Sequence, residues 1–476
     1  MLDRENNQTY LRREIYRSVL LARKDTQGGT QLNRIPSYLH PSKGEPNSCC
    51  VFHDRIITRK KVLSAMGVHP DKDDEDYPIA FLAAPQYRTS GLPEQKIAVI
   101  TDACSGCKSA GVEVTSGCRG CAARPCLRGC PKGAVYFKNG KSHIDEEKCV
   151  NCGKCISLCP FSAIVKVSAP CESVCPVGAI KKQGGNEAVI DEQACTECGL
   201  CARACPFGAI TEISQLWDLK NELEAKNPVV ALLAPSAAGQ LPGSKTQLAS
   251  ALNQAGFIAV FDVGKSADET AGHEALELSE AMEEGTGCMA SSCCPAWVAA
   301  AKQKLAQFSE QISSTPSPMV FARESAKKLF PGAVLCFIGP CTAKTAEARD
   351  IGGIDYVITF EELGALLLSE NIMVEDCKEG EFADGKAEPL GAGFAASGGV
   401  AKAIAEAVKP AEVQKIDGLD RKAFAGIKAY LSGKMNADFL EVMNCPGGCI
   451  AGPGVVAHPR IAKRRLEAEQ REKTAV

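Results

Sequence analysis

KCVNCGKCISLCPFSAI (148–164) and ACTECGLCARACPFGAI (194–210) are two copies of one pattern, Cys-x2-Cys-x2-Cys-x3-Cys-Pro. The spacing has a mechanical reason. Three thiolates on one tight loop take three corners of a [4Fe–4S] cubane, and the fourth cysteine, before proline, serves a neighbouring cluster. Each run then needs a remote Cys-Pro, and Cys130-Pro131 and Cys175-Pro176 supply them. One cluster is assigned to Cys149, Cys152, Cys155 and Cys130, and a second to Cys195, Cys198, Cys201 and Cys175. The repeat extends upstream, where PCLRGCPKGAV is echoed by PCESVCPVGAI, so that Cys126 corresponds to Cys171. Cys118, Cys121 and Cys126 form a stretched triple that Cys159 completes. Cys104 and Cys107 combine with Cys171 and Cys205. That makes up to four clusters with no thiol left over.

The rest of the composition agrees with metal. The chain has 476 residues with 26 Cys, against 6 His and 2 Trp. Sixteen of the cysteines lie between Cys104 and Cys205, so the ligand set is nearly all thiolate, which selects iron–sulfur clusters or zinc. Zinc is the weaker reading, because zinc ribbons rarely repeat a Cys-Pro-x-x-Ala-Ile ending. A net charge of −3 implies no field for nucleic acid. No apolar run is long enough to span a membrane. The polar start, MLDRENNQTYLRREIYR, is no secretory signal, so the chain reads as cytoplasmic.

Residues 1–94 read as an appended segment with one helix over roughly 54–67; Cys49 and Cys50 there lack partners at metal spacing. Residues 95–214 read as a ferredoxin-like α+β domain built on a tandem repeat. From 215 to 460 the pattern is α/β. VVALLAP (229–235), FIAVFDV (257–263), VLCFIGP (334–340), YVITF (356–360) and FLEVMNC (439–445) read as buried strands, with helices between them. Such alternation argues for parallel or mixed sheet covered by helices, with sites beyond the carboxyl ends of strands. Residues 461–476 read as a charged, exposed tail helix.

Three further motifs sit at such strand ends: ASSCCPAW (290–297), GPCTAKTAE (339–347) and EVMNCPGGCIAGPG (441–454). Their Cys294, Cys341, Cys445 and Cys449 could converge from separate loops on one buried cubane. The three motifs resemble the signature stretches of iron-only ([FeFe]) hydrogenases over residues 217–460, and most of all the branch called group B. That resemblance implies a two-lobed catalytic domain with an H-cluster, a [4Fe–4S] cubane joined to a di-iron site carrying CO, cyanide and azadithiolate. It makes Cys294, Cys341, Cys445 and Cys449 the cubane ligands, with Cys449 as the bridge. It gives Cys293 the proton-transfer thiol, Lys344 and Ser236 contacts to cyanide, and Met443 a packing role. It also suggests a proton route from Cys293 through Glu274, Ser313 and Glu277 to solvent. Glu274 and Glu277, at i and i+3, share a helix face; without the resemblance they would read as a solvated helix edge.

The family implies reversible reduction of protons to H2. Electrons would come from ferredoxin or a similar one-electron carrier, and maturation proteins would install the di-iron part. No Rossmann or flavin fingerprint is present, so direct use of NAD(P)H would need a partner subunit. Gly339, Met319 and the run Ala-Gly-Pro-Gly (451–454) depart from the usual family residues near the di-iron pocket. Two other roles compete: a hydrogen or redox sensor, and a non-catalytic relative lacking the di-iron part. Retention of Cys293 speaks against the first, and Lys344 with Met443 against the second. Cys288, Cys336 and Cys377 fit no motif and read as buried or incidental thiols.

Overall fold

The computed structural model describes residues 7–23, 29–89, 91–104, 107, 111–183, 187–285 and 287–474. Val229–Leu233 is five consecutive apolar residues, all buried, as expected of a strand covered on both faces. It lies inside a four-stranded, wholly parallel sheet, between Ala259–Asp262 and Val334–Gly339, with Tyr356–Thr359 on the far side of the latter. A second parallel sheet has Phe439–Met443 at its centre, flanked by Met289–Ala290 and Val413–Asp417. The expected strands are all present, each one to three residues shorter than its apolar run. Val413–Asp417 escapes the sequence pattern because it is an edge strand, VQKID, with three of its five residues exposed. Helices Lys245–Gln254, Val263–Glu284, Pro318–Leu329 and Phe360–Ser369 connect or flank the strands.

The N-terminal stretch is more than an appendage. Helices Asn7–Ala22, Thr30–Leu39 and Val51–Ala65 put Tyr16, Leu20, Leu32 and Leu63 into the same apolar core as the four-stranded sheet and Phe360. Arg12 and Arg13 both reach the buried Glu361, at 2.6 and 3.0 Å. The tail helix Pro459–Thr474 is likewise anchored. Ala462 and Leu466 are buried against Ala238, Ala395 and Ile450.

The cysteine-rich region is nested, not tandem. Ile97–Val99 pairs with Ile210–Glu212, and inside that pairing Gly111–Val114 pairs with Ile164–Val167. Each pair encloses a hairpin: Val135–Lys138 with Lys141–Ile144 in the outer module, and Ile180–Gln183 with Glu187–Ile190 in the inner one. The outer ferredoxin-like module, 111–167, is thus inserted into the inner one. This explains why Cys104 and Cys107 lie so far in sequence from Cys171 and Cys205.

Candidate metal centres and proton route

Local geometry repeats at all four Cys-Pro-x-x-Ala corners. The amide of the alanine donates to the cysteine sulfur four residues earlier: Ala134 to Cys130 (3.3 Å), Ala163 to Cys159 (3.4 Å), Ala179 to Cys175 (3.2 Å) and Ala209 to Cys205 (3.3 Å). Proline after the cysteine turns the chain so that this amide points back at sulfur, a donor suited to a thiolate. The loops between corners match too, with Asn151 and Glu197 both left-handed at φ 54° and 51°.

Three of the four proposed ligand sets line a cavity each. Cys130, Cys149, Cys152 and Cys155 surround one; Cys175, Cys195, Cys198 and Cys201 surround another. Cys104, Cys107, Cys171 and Cys205 surround a third. The remaining set is only partly gathered. Ser142 contacts both Cys126, at 3.5 Å, and Cys118, and Cys159 shares the outer-module core with Cys126. No described contact ties Cys121 to them. Among the described residues no three His, Cys, Asp or Glu side chains stand close enough for a single metal ion. Cys49 and Cys50 are exposed, whereas Cys288, Cys336 and Cys377 are buried.

In the α/β part, Cys341 and Cys445 each lie two residues beyond the end of a parallel strand, Val334–Gly339 and Phe439–Met443. Cys294 starts the helix Pro295–Lys304, and Cys449 starts the turn Cys449–Ala451. The four thiols act on one another. Burial pushes Cys341 up, and Cys294 and Cys449 push it further. Burial raises Cys445 as well, and Cys341, Cys294, Cys198 and Cys449 add to it. Burial lifts Cys449 to about 12. Four half-buried thiols held neutral side by side are an arrangement in which a cationic core would favour the thiolates. Lys344 lies against this group. Burial opposes its charge, but Glu347 at 2.5 Å holds the ammonium above its ordinary pKa, and Ser317 accepts a hydrogen bond at 3.0 Å. The turn Pro235–Ala237 packs on Cys449–Ala451. There Ser236 is buried, and its hydroxyl has no partner among the described residues. Met443 is buried as well. Gly339 has a steric reason: a Cβ there would come within 2.6 Å of the Phe337 ring.

Cys293 and the carboxylates form a second line of contacts. Burial pushes the Cys293 thiol up, and Glu274 adds to it. Glu274 is fully buried on the helix Val263–Glu284 and accepts from the Ser292 amide (2.9 Å) and hydroxyl (3.2 Å). Burial lifts its carboxyl to about 7, with Ser313 close enough to pull it back slightly. The Ser313 hydroxyl donates to Glu277 at 2.6 Å. Glu277 is only half-buried. Burial opposes its charge, but Ser313, the Ser314 amide and Thr315 hold it below the usual carboxylate range. Two carboxyls three residues apart are thus driven in opposite directions, the inner one toward neutrality and the outer one toward charge.

Several residues here have no role assigned from the sequence, although Ser292, Glu347, Glu441 and Asn444 lie inside the three cysteine motifs. Ser292 and Thr315 fix the two carboxylates, and Glu347 pairs with Lys344. Glu441 is buried and accepts from the Gly398 (2.6 Å) and Ala401 (2.7 Å) amides, capping the helix Gly399–Ala407. Asn444 lies between Cys445 and Cys198. Their partners are distant in sequence or on another loop, so spacing could not reveal them; only the Glu347 position, i+3 from Lys344 on a helix, was readable.

Residues 227–453 match the family described as iron only hydrogenase large subunit, C-terminal domain. Residues 142–165 and 188–211 match 4Fe-4S binding domains. Residues 227–453 thus carry a domain of the iron-only hydrogenase large-subunit type. A ferredoxin-like cluster region precedes that domain. The chain is 30% identical over 267 residues to iron hydrogenase 1 of Clostridium pasteurianum, covering 46% of each chain. It is 26% identical over 393 residues to the NADP-reducing hydrogenase subunit HndD of Solidesulfovibrio fructosivorans, covering 68% of this chain and 59% of that one. Over 394 residues it is 26% identical to the periplasmic [Fe] hydrogenase large subunit of Nitratidesulfovibrio vulgaris, covering 70% and 89%. The chain therefore spans about half the length of the first two relatives. No helix among the described residues is long and apolar enough to cross a membrane.

Proposed function

We propose that this chain catalyses the reversible reduction of protons to H2 at an H-cluster, with electrons delivered through [4Fe–4S] clusters. The residues present fit that group. Cys294, Cys341, Cys445 and Cys449 are neighbouring, half-buried thiols, and would hold the cubane, with Cys449 bridging to the di-iron part. Lys344 and the unpartnered Ser236 hydroxyl offer donors for anionic ligands. The bound H-cluster would supply the redox chemistry that joins protons and electrons. Everything else is work for side chains. Met443 and the apolar wall exclude water. Lys344 offsets negative charge. Glu277 exchanges protons with solvent, Ser313 relays them, and Glu274 passes them to the Cys293 sulfur.

The observation that carries this reading is the fully buried Glu274 carboxyl beside Cys293, held by Ser292 and three residues from the half-buried Glu277 that Ser313 contacts. An electron carrier, or a relative without proton chemistry, has no use for a buried carboxyl poised at neutral pH, since burying it costs stability. Ferredoxin or a similar one-electron carrier is the proposed electron donor, maturation proteins the source of the di-iron part, and the cytoplasm the proposed location. Similarity to the HndD subunit makes a partner subunit the natural route to any nicotinamide.

The test is H2 evolution by the matured full chain with a reduced dye. Cys293→Ala and Glu274→Gln should each lose activity by about 10²–10⁴-fold with iron content unchanged. Full activity in either variant would remove the proton route. Glu274→Gln should also stabilise the fold. The raised pKa means that protonation favours the folded state, so the wild type loses this contribution as pH rises from about 4.5 to about 7. Above pH 7 the variant should unfold at higher denaturant, by about 1–3 kcal/mol, and near pH 4 the difference should vanish.

A further inference from the structure

We propose that Asn444 is a positioning residue that couples two clusters, its side-chain amide donating one N–H to Cys198 and the other to Cys445. Cys198 belongs to the inner-module set with Cys175, Cys195 and Cys201, and Cys445 to the four-thiol set beyond the strand ends. The inference rests on the cluster assignment under the proposed function. Asn444 is 1% exposed. Its Nδ2 lies 3.9 Å from the Cys445 sulfur, its side chain also lies against Cys198, and its main-chain N–H points to Cys294. Its Oδ1 has no partner among the described residues. The side chain thus leaves an acceptor unpaired while its donors face sulfur, which costs stability unless those sulfurs are thiolates.

The seam around it is built to hold this distance. Thr342, next to Cys341, donates to the Glu197 carbonyl at 2.5 Å. Arg203 donates to the Gly452 carbonyl at 2.6 Å, and Arg349 pairs with Glu197. Gly199 carries no side chain because a Cβ would meet Thr342 Oγ1 at 2.7 Å and Pro453 at 3.0 Å. The loop carrying Cys195, Cys198 and Cys201 is therefore clamped directly against the loops carrying Cys341 and Cys445.

A hydrogen bond to a thiolate ligand stabilises the more negative, reduced cluster and raises its potential. One amide serving both sulfurs raises both potentials together and gives a short covalent and hydrogen-bonded path from Cys198 to Cys445. The test uses the full chain reconstituted with iron and sulfide, without the di-iron part, titrated redox-wise while EPR follows each cluster. Asn444→Ala and Asn444→Leu should move the midpoints of both the Cys198 cluster and the Cys445 cluster to more negative values. The cluster of Cys130, Cys149, Cys152 and Cys155 should stay put as an internal reference. Leu keeps the volume and Ala does not, so equal shifts point to the lost donors. Unmoved midpoints, a shift in one cluster only, or a shift in Ala but not Leu would overturn the role of Asn444 and leave the proposed function standing. Absence of any cluster on Cys294, Cys341, Cys445 and Cys449 in the wild type would overturn both.

Discussion

The two ferredoxin-like modules share a sequence pattern, a loop geometry and a sulfur-facing amide at each corner, yet they sit in opposite surroundings. The outer module, 111–167, holds nine Lys and Arg against four Asp and Glu, a net +5 in a chain of −3. Its Cys152 is exposed, and Val150 beside it is 59% exposed. Its buried core is Val112, Cys126, Val135, Cys155 and Ile164. The inner module is acidic over 168–212, with three basic residues against six acidic ones. Its Val177 and Ala179 pack into a core with Trp297 and Leu440 of the second sheet. The same cluster-binding unit is thus used once as a surface and once as an internal joint. Pattern repetition sets what a segment can bind; packing and charge set what the bound cluster is for.

Removing iron should separate the modules most strongly. A module whose buried core is five residues cannot stand on apolar burial alone. Hydrogen exchange on the iron-free chain should show protection lost throughout 111–167, partly kept at 177–180, and intact in Val229–Leu233. Protection persisting in the outer module would mean that its fold does not depend on metal.

Next in size is the cost of losing one ligand. Cys198→Ser should lower dye-driven H2 evolution by about 100-fold or more, because that cluster adjoins the four-thiol site. Cys152→Ser should change it by less than about threefold, since a small dye can pass electrons to clusters further in. Equal losses would mean that the outer module lies on the only route.

The smallest effect concerns charge. Lys132 and Lys154 line the outer cluster cavity beside Val150 and Cys152. An acidic one-electron carrier would be steered there. Reversing both lysines to Glu should raise the KM for such a carrier by about 10-fold at low salt, with the gap closing as salt rises. A neutral dye should show no comparable change. A carrier KM indifferent to these reversals and to salt would move docking elsewhere.

The cysteine spacing made legible the three thiol groupings that the structure gathers, above all the two Cys-x2-Cys-x2-Cys loops, because such a loop is local and its spacing is regular. The strands Val229–Leu233 and Phe439–Met443 were legible for a similar reason, being buried on both faces and therefore uniformly apolar. Nesting was not legible. A repeat reports similarity between segments and says nothing about which strand pairs with which, so the pairing of Ile97–Val99 with Ile210–Glu212 came only from the structure. Burial of the N-terminal helices was hidden for a different reason. Polar and charged residues are interleaved with Ile15, Tyr16, Val19 and Leu20, and Arg13 is itself buried against Glu361. Asn444 and Ser292 were invisible because a single polar residue beside a cysteine carries no pattern until its partner on another loop is known.

Infrared spectroscopy of the full chain, expressed with hydrogenase maturation proteins, addresses the central reading most directly. Stretching bands of CO and cyanide bound to iron should be present, and they should vanish in Cys449→Ala. A wild-type sample with a cubane loaded on Cys294, Cys341, Cys445 and Cys449 but without those bands would contradict a di-iron site, and with it the proposed H2 chemistry.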